Sequence, residues 1–180
     1  MIRRPNGPGV KSKKFRKTTT EYGIQLREKQ KVKETYGLRE RQFQKYVLES
    51  LNKKSREKNF PDFLLEKLEL RLDNAAFRMG IASSRNMARQ LVNHGYFLVN
   101  GNKVDTPSLI LKVGDVISIR EASLNKKVFQ NLKNSIKKHE PPSWLNLEKE
   151  KLEGKIVGLP TKQEVNIEAN LQTIGEFYSR

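Results

Sequence analysis

The 180-residue chain has no cysteine and only two histidines, His94 and His139. The missing cysteines exclude a disulfide scaffold, a cysteine-ligated zinc site and a thiol nucleophile. Two histidines argue against a histidine-based metal site. No stretch approaches the roughly 18 apolar residues of a membrane span, and the basic start, Met1 to Lys17, lacks the apolar segment of a secretory signal. We therefore expect no metal, no cofactor and no segment inserted in a membrane, and a cytoplasmic location.

Acidic residues are also scarce, with 20 Asp and Glu against 36 Lys and Arg, which gives a formal net charge of +16. Such an excess destabilises a compact chain by self-repulsion, so its usual reason is a polyanionic partner. Nucleic acid is the first candidate and an anionic membrane surface the second. The excess is concentrated in residues 1–60, which hold 18 Lys and Arg against 6 Glu.

Residues 1–20 have no apolar period and predict a basic extended arm that becomes ordered on nucleic acid. The alternative is a solvated disordered tail. The cations that we expect to contact RNA here are Arg3, Arg4, Lys11, Lys13, Lys14, Arg16 and Lys17.

Apolar periodicity predicts an α+β fold. Helices are expected at 21–36, 39–58, 62–79, 85–93 and 124–139. Between the last two, the period changes from that of a helix to that of a strand, and Asn100-Gly101 indicates a tight β-hairpin because both turn residues need positive φ. Further strands are expected at 109–111 and 116–119, with short strands and turns over 146–165.

The segment RLDNAAFRMGIASSRNMARQLVNHG carries the clearest chemistry. Arg85 and Arg89 are four residues apart and share one helix face. Arg71 and Arg78 share a face of the preceding helix, so the two faces can converge on one groove. Neighbouring polar residues and the helix start at Ser84 add donors suited to RNA phosphates and 2′-hydroxyls. The alternative is that these arginines only increase solubility.

The stretch from Leu64, LLEKLELRLDNAAFRMGIASSRNMARQLVNHGYFLVNGNKVDTPSLILKVGDVISIRE, resembles the S-four RNA-binding module. The upstream YGIQLREKQKVKETYGLRERQFQKYV, the downstream PPSWL and the terminal EFYSR extend the resemblance to the bacterial small-subunit ribosomal protein S-four family. It covers about residues 3 to 180. The flanking motifs make it specific, since many RNA enzymes carry the module alone.

The resemblance implies a mainly helical domain interrupted by an inserted S-four domain of two short helices and a small antiparallel sheet. The implied divisions are an arm at 1–20, a helical domain at 21–66 and 166–180, and the S-four domain with a C-terminal extension at 67–165. The implied RNA-facing residues of the module are Arg71, Arg78, Ser83, Ser84, Arg85, Arg89, Gln90, His94, Asn100 and Lys103. The helical domain would add Arg39, Arg41 and Lys45.

The family also implies a role as a structural component of the small ribosomal subunit. It would bind small-subunit ribosomal RNA directly at a multi-helix junction in the 5′ domain and nucleate assembly. The implied partners are ribosomal protein S-five, other small-subunit proteins and the mRNA near the channel through which it enters, with relevance to translational accuracy. A cytoplasmic ribosome is expected, and an organellar one remains open. One departure is that this chain starts where many members have a further N-terminal segment with a cysteine zinc site, so zinc is not expected.

Three alternatives remain. An S-four-bearing RNA-modifying enzyme would need a separate catalytic domain, and only 60 lysine-rich residues follow Arg120. Asp73 resembles a catalytic aspartate, but we expect a structural ion pair with Arg71. A stand-alone RNA-binding factor would share only the module, and a DNA-binding architectural protein is suggested only by charge.

Overall fold

The computed structural model describes most of the chain from Thr20 onward, in the ranges 20–53, 58–130, 132, 136, 139–165, 167 and 169–179. Within these ranges the fold is α+β, as predicted. The helices are α1 (Glu21–Thr35), α2 (Glu40–Leu51), α3 (Phe60–Glu69), α4 (Leu72–Arg78), α5 (Arg85–Asn93), α6 (Glu121–Leu124) and α7 (Leu171–Tyr178). The strands are β1 (Phe97–Val99), β2 (Asn102–Val104), β3 (Val116–Ile119), β4 (Leu145–Glu148) and β5 (Glu153–Ile156). The seven cations predicted in the arm lie outside the described residues.

The strands form one antiparallel sheet in the order β2-β1-β3-β5-β4. The hairpin between β1 and β2 turns at Asn100 and Gly101, whose φ angles are 51° and 79°. Two positive φ angles in succession are the signature of the turn that matches the right-handed twist of the strands. The hairpin prediction is therefore confirmed.

The helix predicted over 62–79 is wrong in one respect, because the chain leaves the helical conformation between α3 and α4. Arg71 is extended, with φ −68° and ψ 140°, and it forms an isolated antiparallel bridge with Ile110. Leu111 N donates to Leu70 O at 2.8 Å, and Leu72 N donates to Leu109 O at 2.9 Å. These bonds satisfy the backbone groups that the break frees. Apolar spacing missed the break because both short helices bury their apolar residues.

The same bridge corrects the predicted strand at 109–111. Ile110 pairs with a single residue between two helices, so no ladder can extend from it. The helix predicted over 124–139 is also interrupted. α6 ends at Leu124, a 3-10 turn covers Lys127–Phe129, and Leu132 and Ile136 are helical and buried.

Apolar side chains form two buried clusters. The helical core contains residues of α1, α2 and α3 together with Val165, Leu171 and Ile174. The sheet core runs from Leu70 to Ile156 and contains α4, α5 and the inner face of the sheet. The first residue of the sheet core, Leu70, follows Leu68, the last α3 residue of the helical core, by two positions. The domain limits predicted from the resemblance remain a proposal, and Leu68 and Val165, which fall inside the predicted 67–165 domain, pack in the helical core.

The C-terminal helix α7 returns to the helical core and packs against α1, α2 and α3. Glu40, in the first turn of α2, holds it there. Its carboxylate accepts bonds from Lys29 Nζ at 2.5 Å, Lys33 Nζ at 3.1 Å and Tyr178 Oη at 2.7 Å. Lys29 Nζ also lies 4.9 Å from the centre of the Phe177 ring. Partial burial raises the pKa of Glu40, but the bonds from Lys29, Tyr178 and Lys33 outweigh it and lower this pKa to about 2.

Gly101→Val should destabilise the protein by on the order of 1–2 kcal/mol, because a β-branched residue resists positive φ. No atom lies within 4 Å of a Cβ built at Gly101, so the cost arises from the backbone alone. Gly101→Asn is the control, since asparagine tolerates this conformation. The measurement is the free energy of unfolding in denaturant, and equal values for the two variants would contradict the turn assignment.

The stabilisation from ionised Glu40 should be fully present above the ordinary carboxyl pKa of 4.5 and should be lost as the pH falls toward 2. The difference in denaturation midpoint between the parent and Glu40→Gln should therefore shrink across that window. Glu34, exposed on α1, provides the control substitution. An equal pH dependence for Glu34→Gln would refute the prediction.

Candidate nucleic-acid interface

Helix α5 is the central element of the predicted RNA surface. Ser84 caps it, since its Oγ accepts from Met87 N at 3.2 Å, as the sequence predicted. Ala88, Leu91 and Val92 form its buried face. Its exposed side chains are polar and lie along one side of the helix. They belong to Asn86, Gln90, Asn93 and the C-cap residue His94.

The four arginines of the module do converge, as predicted, but they converge mainly inside the protein. They meet two buried carboxylates between the helical core and the sheet core. We call this group the arginine cluster, and its members are Glu69, Arg71, Asp73, Asn74, Arg78, Arg85 and Arg89.

Glu69 is fully buried and forms one half of the arginine cluster. It accepts bonds from Tyr36 Oη at 2.5 Å, Asn74 Nδ2 at 2.8 Å, and Arg78 Nε and Nη2 at 2.9 and 3.0 Å. Burial, together with the charge and hydrogen bond of Glu69, raises the pKa of Tyr36 well above its usual value. The Tyr36 hydroxyl therefore stays protonated and ties α1 to the end of α3.

Asp73 forms the other half. Arg71 donates to it through Nε at 3.0 Å and Nη2 at 2.8 Å, and to Tyr46 Oη through Nη1 at 2.5 Å. The predicted structural pair between Arg71 and Asp73 is therefore confirmed. Burial opposes the charge on Arg71, but the bonds and charge of Asp73 outweigh it and raise the pKa of the guanidinium.

Arg89 joins this half from α5. Its Nε donates to Asp73 at 2.9 Å, and its Nη1 and Nη2 donate to the carbonyl oxygens of Gly37 and Tyr36. These carbonyls end α1, where Gly37 has a φ of +59°. A Cβ at Gly37 would lie 3.0 Å from Asn86 Oδ1. The turn between α1 and α2 is thus held directly against α5.

Arg85 has a different environment. Its guanidinium lies between the rings of Phe77 and Tyr36, with its central carbon 4.6 and 4.9 Å from the two ring centres. Its Nε donates to Asn74 Oδ1 at 2.8 Å. Burial lowers the pKa of Arg85, and the aromatic faces stabilise its charge.

These contacts change the interpretation of the four arginines. Arg71 is only 2% exposed and its nitrogens are engaged inside the protein, so we do not include it in an RNA-facing surface. Arg78, Arg85 and Arg89 are half-buried and also bind internal groups. Their primary role in this structure is to join the two cores, and direct RNA contact by them remains a prediction.

The other predicted residues lie at the surface. The exposed ones are Arg39, Arg41, Lys45, Ser83, Ser84, Gln90, His94, Asn100 and Lys103. Lys45 has a weak pair with Glu49 at 3.9 Å. The Asn100 side chain supports its own turn instead of pointing freely outward, since it donates to Asp115 Oδ1 at 2.8 Å and accepts from Val116 N at 2.9 Å.

An open cleft of about 320 Å³ lies beside Arg89, between the start of α2 and the end of α5. It is lined by Gly37, Arg39, Gln42, Arg71, Arg89, Asn93, Pro107 and Ser108. Sequence reasoning missed Gln42 and Ser108. Gln42 could have been found, because it lies three residues after Arg39 on one helix face. Ser108 gave no signal, since only the tertiary fold places it here.

Two negative findings apply to the described ranges alone. No group of three or more His, Asp or Glu side chains there is placed to hold a metal ion. Nor does that part of the chain contain a helix long and apolar enough to cross a membrane.

Comparison with known proteins decides the family. Residues 1–69 match the family described as Ribosomal protein S4/S9 N-terminal domain, and residues 70–117 match the S4 domain. The small ribosomal subunit protein uS4 of Syntrophomonas wolfei is 43% identical, over 100% of this chain and 85% of the relative. Those of Clostridioides difficile and Aquifex aeolicus are each 45% identical, over all of this chain and 84% and 86% of their own lengths.

The chain belongs to the uS4 family. The predicted resemblance is thereby confirmed, and membership makes this a ribosomal protein of the small subunit and not an enzyme. A stand-alone factor with only the S4 domain is also set aside, because the uS4 match includes residues 1–69.

Glu69→Gln should destabilise the fold by about 3–5 kcal/mol, because it leaves the half-buried Arg78 beside an uncharged partner. The control is Glu49→Gln, which removes an exposed pair between α2 and Lys67 and should cost about 1 kcal/mol or less. Denaturant unfolding measures both. Equal losses would show that the arginine cluster does not join the two cores.

Proposed function

We propose that this protein binds small-subunit ribosomal RNA directly, through one surface that both cores build. The surface starts at Arg39, the N-cap of α2, and at Arg41 and Lys45 on that helix. It then crosses the cleft, follows the polar side of α5 and ends at Lys103 on the hairpin. Ser83 and Ser84 extend it at the other end of α5. The seven cations of the arm would add to it.

The observation that carries this proposal is the continuity of the surface. Arg89 fixes the α1–α2 turn against α5. Just past the C-terminal end of α5, a Cβ at Gly95 would overlap Lys103 Cε, so the Lys103 side chain lies directly over this glycine. Three segments that are distant in sequence therefore present one polar and basic face.

The chemistry of this face suits folded RNA. Cations at its two ends can neutralise phosphates, while the amides of Asn86, Gln90 and Asn93 can bond to 2′-hydroxyls and phosphates between them. Double-stranded RNA is recognised mainly by shape and by such contacts. These amides lie on one side of α5 with no carboxylate among them to repel a phosphate. This favours RNA over a protein as the partner of the face.

The finer role follows from the family and is part of the proposal. The protein would bind at a multi-helix junction in the 5′ domain and nucleate assembly there. It would then lie beside ribosomal protein S-five and near the mRNA where it enters, with an effect on accuracy. The cytoplasmic ribosome is the proposed location.

The double variant Gln90→Ala, Lys103→Ala should weaken binding to folded small-subunit ribosomal RNA by on the order of tenfold to a hundredfold, since the two contacts together contribute about 1–3 kcal/mol. The matched control is Lys155→Ala, Gln172→Ala, which removes an exposed lysine and glutamine from β5 and α7. Filter binding at several salt concentrations, with duplex DNA as competitor, gives the affinities. The proposal fails if RNA and DNA bind equally, or if both double variants behave alike.

A further inference from the structure

The arginine cluster holds more positive than negative charge. Arg71 and Arg89 share the single carboxylate of Asp73, and Arg78 pairs with Glu69. Arg85 has no ion pair within 4 Å among the residues that the structure describes. Arginine keeps its proton in proteins, so four cations face two anions and two positive charges are left over.

A surplus charge in a partly buried cluster is costly unless a counter-charge reaches it. The half of this cluster that contains Asp73 opens to the exterior. Arg71 and Arg89 both line the cleft between α2 and α5, and the side chain of Arg89 is 27% exposed there. The one carboxylate that they share lies on the inner side, since Asp73 is 2% exposed.

The remaining walls of the cleft favour an anion. Arg39, the N-cap of α2, has an exposed side chain at the cleft, and Gln42, Asn93 and Ser108 supply neutral polar groups. Each of the eight described residues that line the cleft is cationic, neutral polar or apolar. A ligand in this position would therefore meet the exposed Arg39 and the half-buried Arg89, and the buried Arg71 would add positive charge without a competing carboxylate in the wall.

We propose that the cleft binds a single phosphodiester group and that this phosphate supplies the counter-charge that the Arg71–Asp73–Arg89 half of the cluster lacks. Arginine suits a phosphate because its planar fork matches the phosphate oxygens. That the phosphate comes from ribosomal RNA rests on the proposed function. Since Arg39 belongs to the helical half and Asn93 to the sheet half, the bound phosphate would also strengthen the contact between them.

The first test uses the full chain and folded small-subunit ribosomal RNA. Arg39→Gln should lower affinity by on the order of tenfold and reduce the log–log salt slope by about 0.7–0.9, the contribution of one phosphate. Arg39 takes no part in the internal hydrogen bonds of the cluster, so the fold should persist. Arg27→Gln is the matched control, because Arg27 is exposed on α1 and does not line the cleft.

The second test removes RNA and uses inorganic pyrophosphate as the probe. Pyrophosphate should raise the melting temperature of the parent and of Arg27→Gln relative to sodium chloride at equal ionic strength. Arg39→Gln and Asn93→Asp should lose this rise. Asn146→Asp, an exposed position on the outermost strand β4, should keep it.

The two proposals fail in different ways. If the parent does not prefer ribosomal RNA to duplex DNA, the proposed function is wrong, whatever pyrophosphate does. If the parent binds the RNA but Arg39→Gln matches Arg27→Gln in the salt slope or in the pyrophosphate response, the phosphate site is refuted and the proposed function stands.

Discussion

The two buried carboxylates Glu69 and Asp73 are the constraint on which the rest of the structure depends. Each must be paired because an isolated buried charge is far too costly. The partners come from both halves, with Tyr36 and Tyr46 on one side and the module arginines on the other. The arrangement of the two cores is therefore specified by a set of directional bonds, and α5 is held in place with it. A purely apolar contact would allow far more sliding.

In this arrangement, holding α5 in place and contacting RNA are carried out by different residues, although the sequence alone suggests that the same arginines do both. Arginines close to a proposed RNA face are naturally interpreted as RNA ligands. Here their guanidinium groups mostly fix the position of the helix that carries the face, and neutral amides such as Gln90 occupy the outer side. Arginine suits the internal task because five donors in one plane can join a carboxylate, a hydroxyl and main-chain carbonyls at once.

The turns and helix caps could be predicted from the sequence, but the long-range contacts of individual side chains could not. The Asn100-Gly101 turn follows from the need for residues that tolerate positive φ. The Ser84 cap follows from the need for a side-chain oxygen that accepts from a free backbone N–H at the start of a helix. The break at Arg71 has no local signal, because leucine spacing continues through it and the bridge to Ile110 forms only in the folded chain. The burial of Arg71 has the same origin. Its carboxylate is two residues away and was found, but Tyr46, which completes its bonding, is 25 residues distant.

The return of α7 to the helical core has a consequence for synthesis. Tyr178 contacts Glu40 across 138 residues, and Asn170 N donates to Glu28 across 142. A chain made from its N-terminus emerges with α1, α2 and α3 long before the helix that covers them. The apolar sides of those helices stay open until α7 has been made, while the sheet core, whose contacts are nearer in sequence, can already close. Helix α7 thus completes a core whose other helices were made more than a hundred residues earlier, and a product truncated before α7 would leave that core exposed.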